Sequence, residues 1–218
     1  AREGARFMNV LAASAGVGSA SVSQVAETTA KAGASAKNAN VSFEEFAATT
    51  QVLASKSIVG SEAGTALSAV FTALQKAPGP AAEKLEKLGT SSQKLGELLT
   101  TKGVGAAMDE VRKAMSKLGT DAEKNAFTID LFGQTGANAA QALLSGGDML
   151  KEFTKGVTDT TAGVDQAAVN MNTLAERMSR AKSSLENVFI NVYRFIEPIL
   201  VSLIDGVSTA FDTIYNII

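Results

Sequence analysis

Residues 60–80 read GSEAGTALSAVFTALQKAPGP, and this stretch decides the fold class. Ala63, Leu67, Val70, Phe71 and Leu74 recur at steps of three and four, which places them on one face of an α-helix. Gly60-Ser61-Glu62 opens that helix. Pro78-Gly79-Pro80 stops it, because proline removes a backbone donor and clashes with the preceding turn. Pro80 then suits the first turn of a short helix that ends at Gly89.

The same grammar extends in both directions. Upstream, Ser42-Phe43-Glu44-Glu45 has the form of a capping box: Ser42 accepts from the amide three positions on, and Glu45 reaches back. Its helix is expected to run to about Ser57, with Phe43, Phe46, Ala47, Thr50 and Leu53 inward. Residues 1–15, with Phe7, Val10 and Leu11 on one face, read as a helix broken by Gly16-Val17-Gly18-Ser19. A second helix is expected over about 21–33, with Val22, Val25, Ala26 and Thr29 at helical spacing, and Gly33 to Asn40 as a loop. Downstream, residues 91–119 read as two helical pieces parted near Gly103-Val104-Gly105. Thr120-Asp121-Ala122-Glu123 is a second capping box whose helix ends at Leu131-Phe132-Gly133. Residues 136–156 read as short helices punctuated by Gly146-Gly147 and Gly156. Leu88-Gly89-Thr90 and Leu118-Gly119-Thr120 repeat one helix-ending tripeptide.

The composition agrees with an all-α fold. Alanine supplies about one residue in six, aromatics only 6%, and there are three prolines in 218 residues. Alanine is the best helix former, and its small side chain lets helices approach closely. We expect a compact helical module over residues 1–160 and a long helix over 161–218.

That last third differs from the rest. No glycine occurs between Gly163 and Gly206. Val164, Ala167, Met171, Leu174, Met178, Ala181, Leu185, Val188, Val192, Phe195 and Ile199 alternate steps of three and four, an a/d heptad seam. At Pro198 a kink is expected. There the phase slips by four residues, a stutter, and Leu203, Val207, Ala210, Ile214 and Ile217 continue the stripe. Such a stripe serves either as a buried face within one domain or as a seam between copies of the chain, and its length favours the second. The expected self-association residues are Met171, Leu174, Met178, Leu185, Val188, Val192, Phe195 and Ile199.

The chain has no His, Cys or Trp. That removes imidazole bases, thiolate nucleophiles, disulfides and the usual zinc sites. The adjacent carboxylates Glu44-Glu45 and Asp109-Glu110 diverge by about 100° on a helix, so neither forms a converging acid pair; first-turn positions at helix N-termini suit both. A pair assembled from distant helices, such as Asp109 with Asp130, has no support in the spacing. Gly16-Val17-Gly18-Ser19 and Ser145-Gly146-Gly147-Asp148 lack the lysine and preceding strand of a phosphate loop. The chain is therefore read as a non-enzyme with no cofactor or metal. Its net charge of −2 argues against specific nucleic-acid binding. Arg177, Arg180 and Lys182 read as a solvated flank of the long helix. The apolar stretch 188–218 is interrupted by Arg194, Glu197, Asp205 and Asp212, so no run matches a membrane span; it motivates an alternative reading as a membrane-active, pore-forming or translocator-like helical protein.

Several of these blocks, taken in order, resemble phage tail tape measure proteins. Ser61-Glu62-Ala63-Gly64-Thr65-Ala66-Leu67, followed by Phe71 and Leu74, resembles the conserved core of that family. Val41-Ser42-Phe43-Glu44-Glu45-Phe46 is similar to the helix before it. Leu85-Glu86-Lys87-Leu88-Gly89, Leu131-Phe132-Gly133 and Glu197-Pro198-Ile199-Leu200 resemble later elements, so the likeness covers most of residues 10–205. The resemblance implies a structural role without catalytic residues. Members occupy the tail lumen or tip, template tail assembly and length, and leave ahead of the DNA on infection. It implies partners among tail tube, tail tip or baseplate proteins and assembly chaperones, with copies of the chain itself as a trimer or, less favoured, a hexamer. The implied places are the virion tail, the host cytoplasm during assembly and the host envelope during infection. Both ends of the sequence read as cut, so a segment of a longer chain is expected.

Overall fold

A computed structural model describes residues 2–158, and these form eight α-helices with no strand among the described residues. They are α1 (Arg2–Val17), α2 (Val22–Asn38), α3 (Phe43–Ala54), α4 (Gly60–Gln75), α5 (Gly79–Lys87), α6 (Ser92–Met115), α7 (Asp121–Ser145) and α8 (Gly147–Val157). The heptad stripe, its eight seam residues and the kink at Pro198 lie outside the described residues. No helix among the described residues is long and apolar enough to cross a membrane.

Helix α4, the one read first, lies at the centre with α2, α6 and α7 packed on it. Its predicted face is buried: Ala63, Leu67, Val70, Phe71 and Leu74 are all fully enclosed. Small residues let α2 come close. Thr28, Ala32, Gly33 and Ala36 of α2 are buried. At the contact, the Thr28 hydroxyl donates to the Gly60 carbonyl at 3.0 Å, and the Ser35 and Ser68 hydroxyls pair at 2.6 Å. On another side, Gly136 of α7 sits against Ala69 and Val70. Larger side chains fill the remaining volume, with Leu85, Leu95, Leu99, Met108, Phe127, Leu131 and Leu143 buried around them. Helices α1, α3 and α8 close a second side, where Val10, Ala13, Ala47 and Val157 meet. A line of rings runs from α1 through α3 to α4: Phe7, Phe43, Phe46 and Phe71, with successive centroids 4.1, 6.3 and 6.3 Å apart.

The expected loop over Gly33 to Asn40 is instead helix as far as Asn38. Gly33 is buried inside α2 rather than ending it. The stop falls at Asn40, whose φ of 55° is left-handed. There the Val41 amide bonds the Ala36 carbonyl and the Asn40 amide bonds the Lys37 carbonyl, the two bonds of a Schellman ending. Ser57 and Gly89 end α3 and α5 the same way, through Ile58 to Leu53 and Thr90 to Leu85. The second tripeptide, at Gly119, has no left-handed residue; there the Gly119 amide joins the next helix start by donating to Glu123. Gly156 lies within α8 and does not break it.

Gly18, in the expected break after α1, packs against Gln51 of α3. Gln51 is fully buried, and its amide both accepts from the Ala20 N–H at 2.7 Å and donates to the Ala20 carbonyl at 3.1 Å. A buried amide left unpaired would cost about 1–3 kcal/mol, so this pair fixes the α1–α2 connection to α3.

The α2–α4 approach gives a direct test. A Cβ on Gly64 would lie 2.5 Å from Lys31 Cβ and 2.8 Å from the Thr28 carbonyl oxygen. Gly64→Ala should therefore cost about 1–3 kcal/mol in urea unfolding, by overpacking. Gly79→Ala, where a methyl group meets open space, should be neutral or stabilising by up to about 1 kcal/mol. Equal urea midpoints for the two variants would show that close approach does not limit this contact.

Candidate functional site

The site forms where α6 is interrupted. Gly103 has φ 87° and ψ −176° between two helical segments, a backbone region essentially restricted to glycine. The chain resumes its helix at once, so the amides of Val104 and Gly105 form a new helix start with no carbonyl in the preceding turn to receive them. Glu45 of α3 fills that need: the Gly105 amide donates to its carboxylate at 3.2 Å, across sixty positions of sequence. The capping box expected at Ser42 is thus half formed. Ser42 Oγ accepts from the Glu45 amide at 3.2 Å, but the Glu45 carboxylate turns to α6 instead of back to Ser42. The physical reason is competition between donors. The Ser42 end of α3 is exposed and can bond water, whereas the helix restart at Val104-Gly105 is partly buried. The second expected box, at Thr120 and Glu123, is complete.

Burial pushes the Glu45 carboxyl above its ordinary value of 4.5, opposed by the hydrogen bonds from Gly105 and Val104. Beside it lies a groove of about 740 Å³ between α3, α6 and α8. Gly105, Ala106 and Leu150 contribute small and apolar surface, and Lys102, Lys151 and Lys155 contribute cations. Asp109 also lines it but is paired with Arg112 at 2.5 Å.

The adjacent carboxylates diverge as expected from helical geometry. Glu44 receives both Arg6 Nε and Nη2, at 2.6 and 2.8 Å, while Glu45 faces α6. Asp109 pairs with Arg112, and Glu110 pairs with Lys94 at 2.8 Å. The Lys94 hydrogen bond holds the Glu110 carboxyl below its ordinary value. The Thr120 backbone does the same for Glu123. Asp130 lies 3.9 Å from Lys84 on α5, so Asp109 and Asp130 each have their own cation. Among the described residues, no cluster of three or more acidic side chains forms that could hold a metal. The groove offers charge and shape. Neither Glu45 as the groove's central group nor Lys102 and Lys155 as its cations stood out in the sequence, because the contacts joining α3, α6 and α8 are remote in sequence. The available signal was Gly103-Val104-Gly105, read as a break without the acid that caps it.

Comparison with known proteins places these residues in a larger setting. A family model described as phage-related minor tail protein matches residues 1–133, that is α1 through the interruption at Gly133 in α7. Over 219 aligned residues the chain is 24% identical to the tape measure protein of Pneumococcus phage Dp-1, covering 99% of this chain and 19% of that protein. It is 35% identical over 113 residues to the probable tape measure protein of Escherichia phage P2, covering 50% of this chain and 13% of that one. The chain thus spans less than a fifth of the length of either relative. No solved structure matches it.

Two measurements probe the Gly103 joint. Gly133 has a similar backbone, φ 70° and ψ 170°, but a Cβ there meets nothing, whereas at Gly103 it would fall 2.4 Å from both Glu45 carboxylate oxygens. Gly133→Ala should cost about 1–3 kcal/mol from backbone strain alone, and Gly103→Ala clearly more; equal losses in urea unfolding would mean that Glu45 adds nothing to the joint. The second concerns pH. Glu45 binds its proton more tightly in the folded chain, so its contribution to stability is full below pH 4.5 and is lost as pH rises through its raised value. Glu110 and Glu123 act in the opposite sense, with a contribution present above 4.5 and lost as pH falls through their lowered values. The stability of wild type minus that of Glu45→Gln should therefore fall as pH rises from about 4 to 8. A pH-independent difference would contradict the burial of this carboxyl.

Proposed function

The chain belongs to the phage-related minor tail protein family, and from that membership we propose that it is a segment of a tape measure protein that occupies the lumen or tip of the tail. In this reading it templates tail assembly and length and leaves ahead of the DNA on infection. The observation that carries the proposal is the family match from α1 to Gly133, in a chain whose described part is all helix. The two tape measure relatives support it. The module's packing fits the role: its buried contacts rest largely on alanine, glycine and aliphatic side chains.

The partners proposed are copies of the chain, tail tube proteins, tail tip or baseplate proteins, and assembly chaperones. Self-association is assigned to the heptad seam of Met171, Leu174, Met178, Leu185, Val188, Val192, Phe195 and Ile199, with three copies favoured, and Pro198 bends it. The net charge of −2 suits a chain that lines a path for DNA without gripping phosphates.

Leu185→Asp tests the seam, because a charge at a buried a/d position opposes association. Light scattering of the variant should give a smaller particle than wild type. An unchanged oligomer would remove the seam as the interface.

A further inference from the structure

Helices α6 and α7 are each folded back on themselves. In α7 the Gln141 side-chain amide donates to the Asn125 side-chain oxygen at 3.0 Å, across sixteen positions. A straight helix would hold those residues about 24 Å apart. The fold is made at Gly133, midway between them. In α6 the turn is Gly103, and Lys94 meets Glu110 at 2.8 Å across it. Each element is a helical hairpin whose turn is one glycine.

The two turns are secured differently. At Gly103 the Glu45 carboxylate fills the corner and accepts from the Gly105 amide, and an ion pair joins the arms. At Gly133 the corner is open, with nothing within 4 Å of an added Cβ. Among the described residues no side chain accepts from the amides of Gln134 or Thr135. Across that turn the Asn125–Gln141 bond is neutral, and both residues are exposed. A change of φ and ψ at Gly133 alone turns α7 into one straight helix of 25 residues. That change adds backbone bonds across the joint. Short hinges of this kind invite exchange of elements between copies.

We propose that the chain beyond Gly133 exchanges between two copies: α7 straightens, and its second arm, with α8, packs onto α3 and α4 of the other copy. The receiving surface is the one this arm already covers within a single chain. Gly136 again meets Ala69 and Val70, Gly146 again meets Val52, and Leu143 and Leu150 are buried as before. Exchange therefore keeps the burial of the closed form and relieves the glycine turn. From Leu131 to Gly147 there is no charged residue, so two straight α7 helices meeting at their joints bring no like charges together there. Ile129, one of three large hydrophobic side chains left exposed among the described residues, stands one turn before Gly133, beside that meeting point. Association depends on concentration. A tethered arm sees its own surface at an effective concentration of order millimolar, so dilute chains stay closed.

The 218-residue chain has no cysteine, so single thiols can be placed cleanly. One chain carries Asn125→Cys and another Gln141→Cys. The two are mixed, unfolded in urea, refolded at about 0.5 mM, near the tethered concentration, and treated with a short bismaleimide. A link between positions 125 and 141 of different chains is expected, mapped by mass spectrometry. With Gly133→Ala in both chains the same yield should appear at a protein concentration at least about tenfold lower, because two strained joints are relieved. Two glycines inserted after Gly133 relax the turn and interrupt the straight helix, and should abolish the link. No link between chains with the natural joint overturns the proposal. So does an equal yield for all three joints, which assigns the link to another contact such as the heptad seam. If Gly133→Ala does not refold by circular dichroism, the natural joint and the insertion decide, and equal yields overturn the exchange. None of these outcomes depends on whether the chain acts as a tape measure.

Discussion

The closeness of α2 to α4 is the constraint from which the rest of the module follows. At Gly64 the two backbones leave no room for a methyl group. Small residues flank that contact, with Ala32 and Ala36 on one helix and Ala63 on the other, all buried. The closeness also brings the Thr28 and Ser35 hydroxyls within reach of α4, where each finds a partner. With α4 held this way, Leu67, Val70, Phe71 and Leu74 are enclosed by α6 and α7. Interiors of this kind gain many small dispersion contacts rather than a few large ones. The high alanine content is thus a packing distance written into composition, not only a helix preference.

Much of this was legible in the sequence, and the misreadings share one cause. The faces of α3 and α4, the stop at Pro78-Gly79-Pro80, the interruptions at Gly103 and Gly133 and the box at Thr120 all follow from local rules of period, proline and capping. The readings that failed depended on partners distant in the chain. Gly33 looked like a stop because its burial inside α2 was invisible, and Asn40 supplied the left-handed residue instead. Glu45 looked like a reciprocal cap because the α6 amides sixty positions away could not be seen competing for it. Gln51 gave no signal, although its double hydrogen bond to Ala20 ties α3 to the turn before α2.

Helix ends in this module are repeatedly served from other helices. Glu45 brings negative charge to a helix start within α6. At C-terminal ends the sign reverses: Lys117 Nζ donates to the Leu88 carbonyl at 2.5 Å after α5, and Arg112 Nε donates to the Leu144 carbonyl at 2.9 Å near the end of α7. Each charge complements the dipole of the helix it meets. Because donor and acceptor belong to different helices, every such contact also fixes one helix against another. Charged residues of the module thus serve in part as cross-braces. Lys84 is another, lying between Asp130 and the ring of Phe127 on α7.

The ring line from Phe7 to Phe71 has a practical corollary. Every aromatic residue of the described module is phenylalanine, and the chain's two tyrosines, Tyr193 and Tyr215, both follow Thr158 in sequence. Phenylalanine absorbs and emits weakly in the near ultraviolet, and there is no tryptophan to mask the tyrosines. Tyrosine emission therefore reports on the residues after α8 alone. A single unlabelled chain thus carries a fluorescent reporter of the residues after Thr158 to which the described module adds almost no emission of its own.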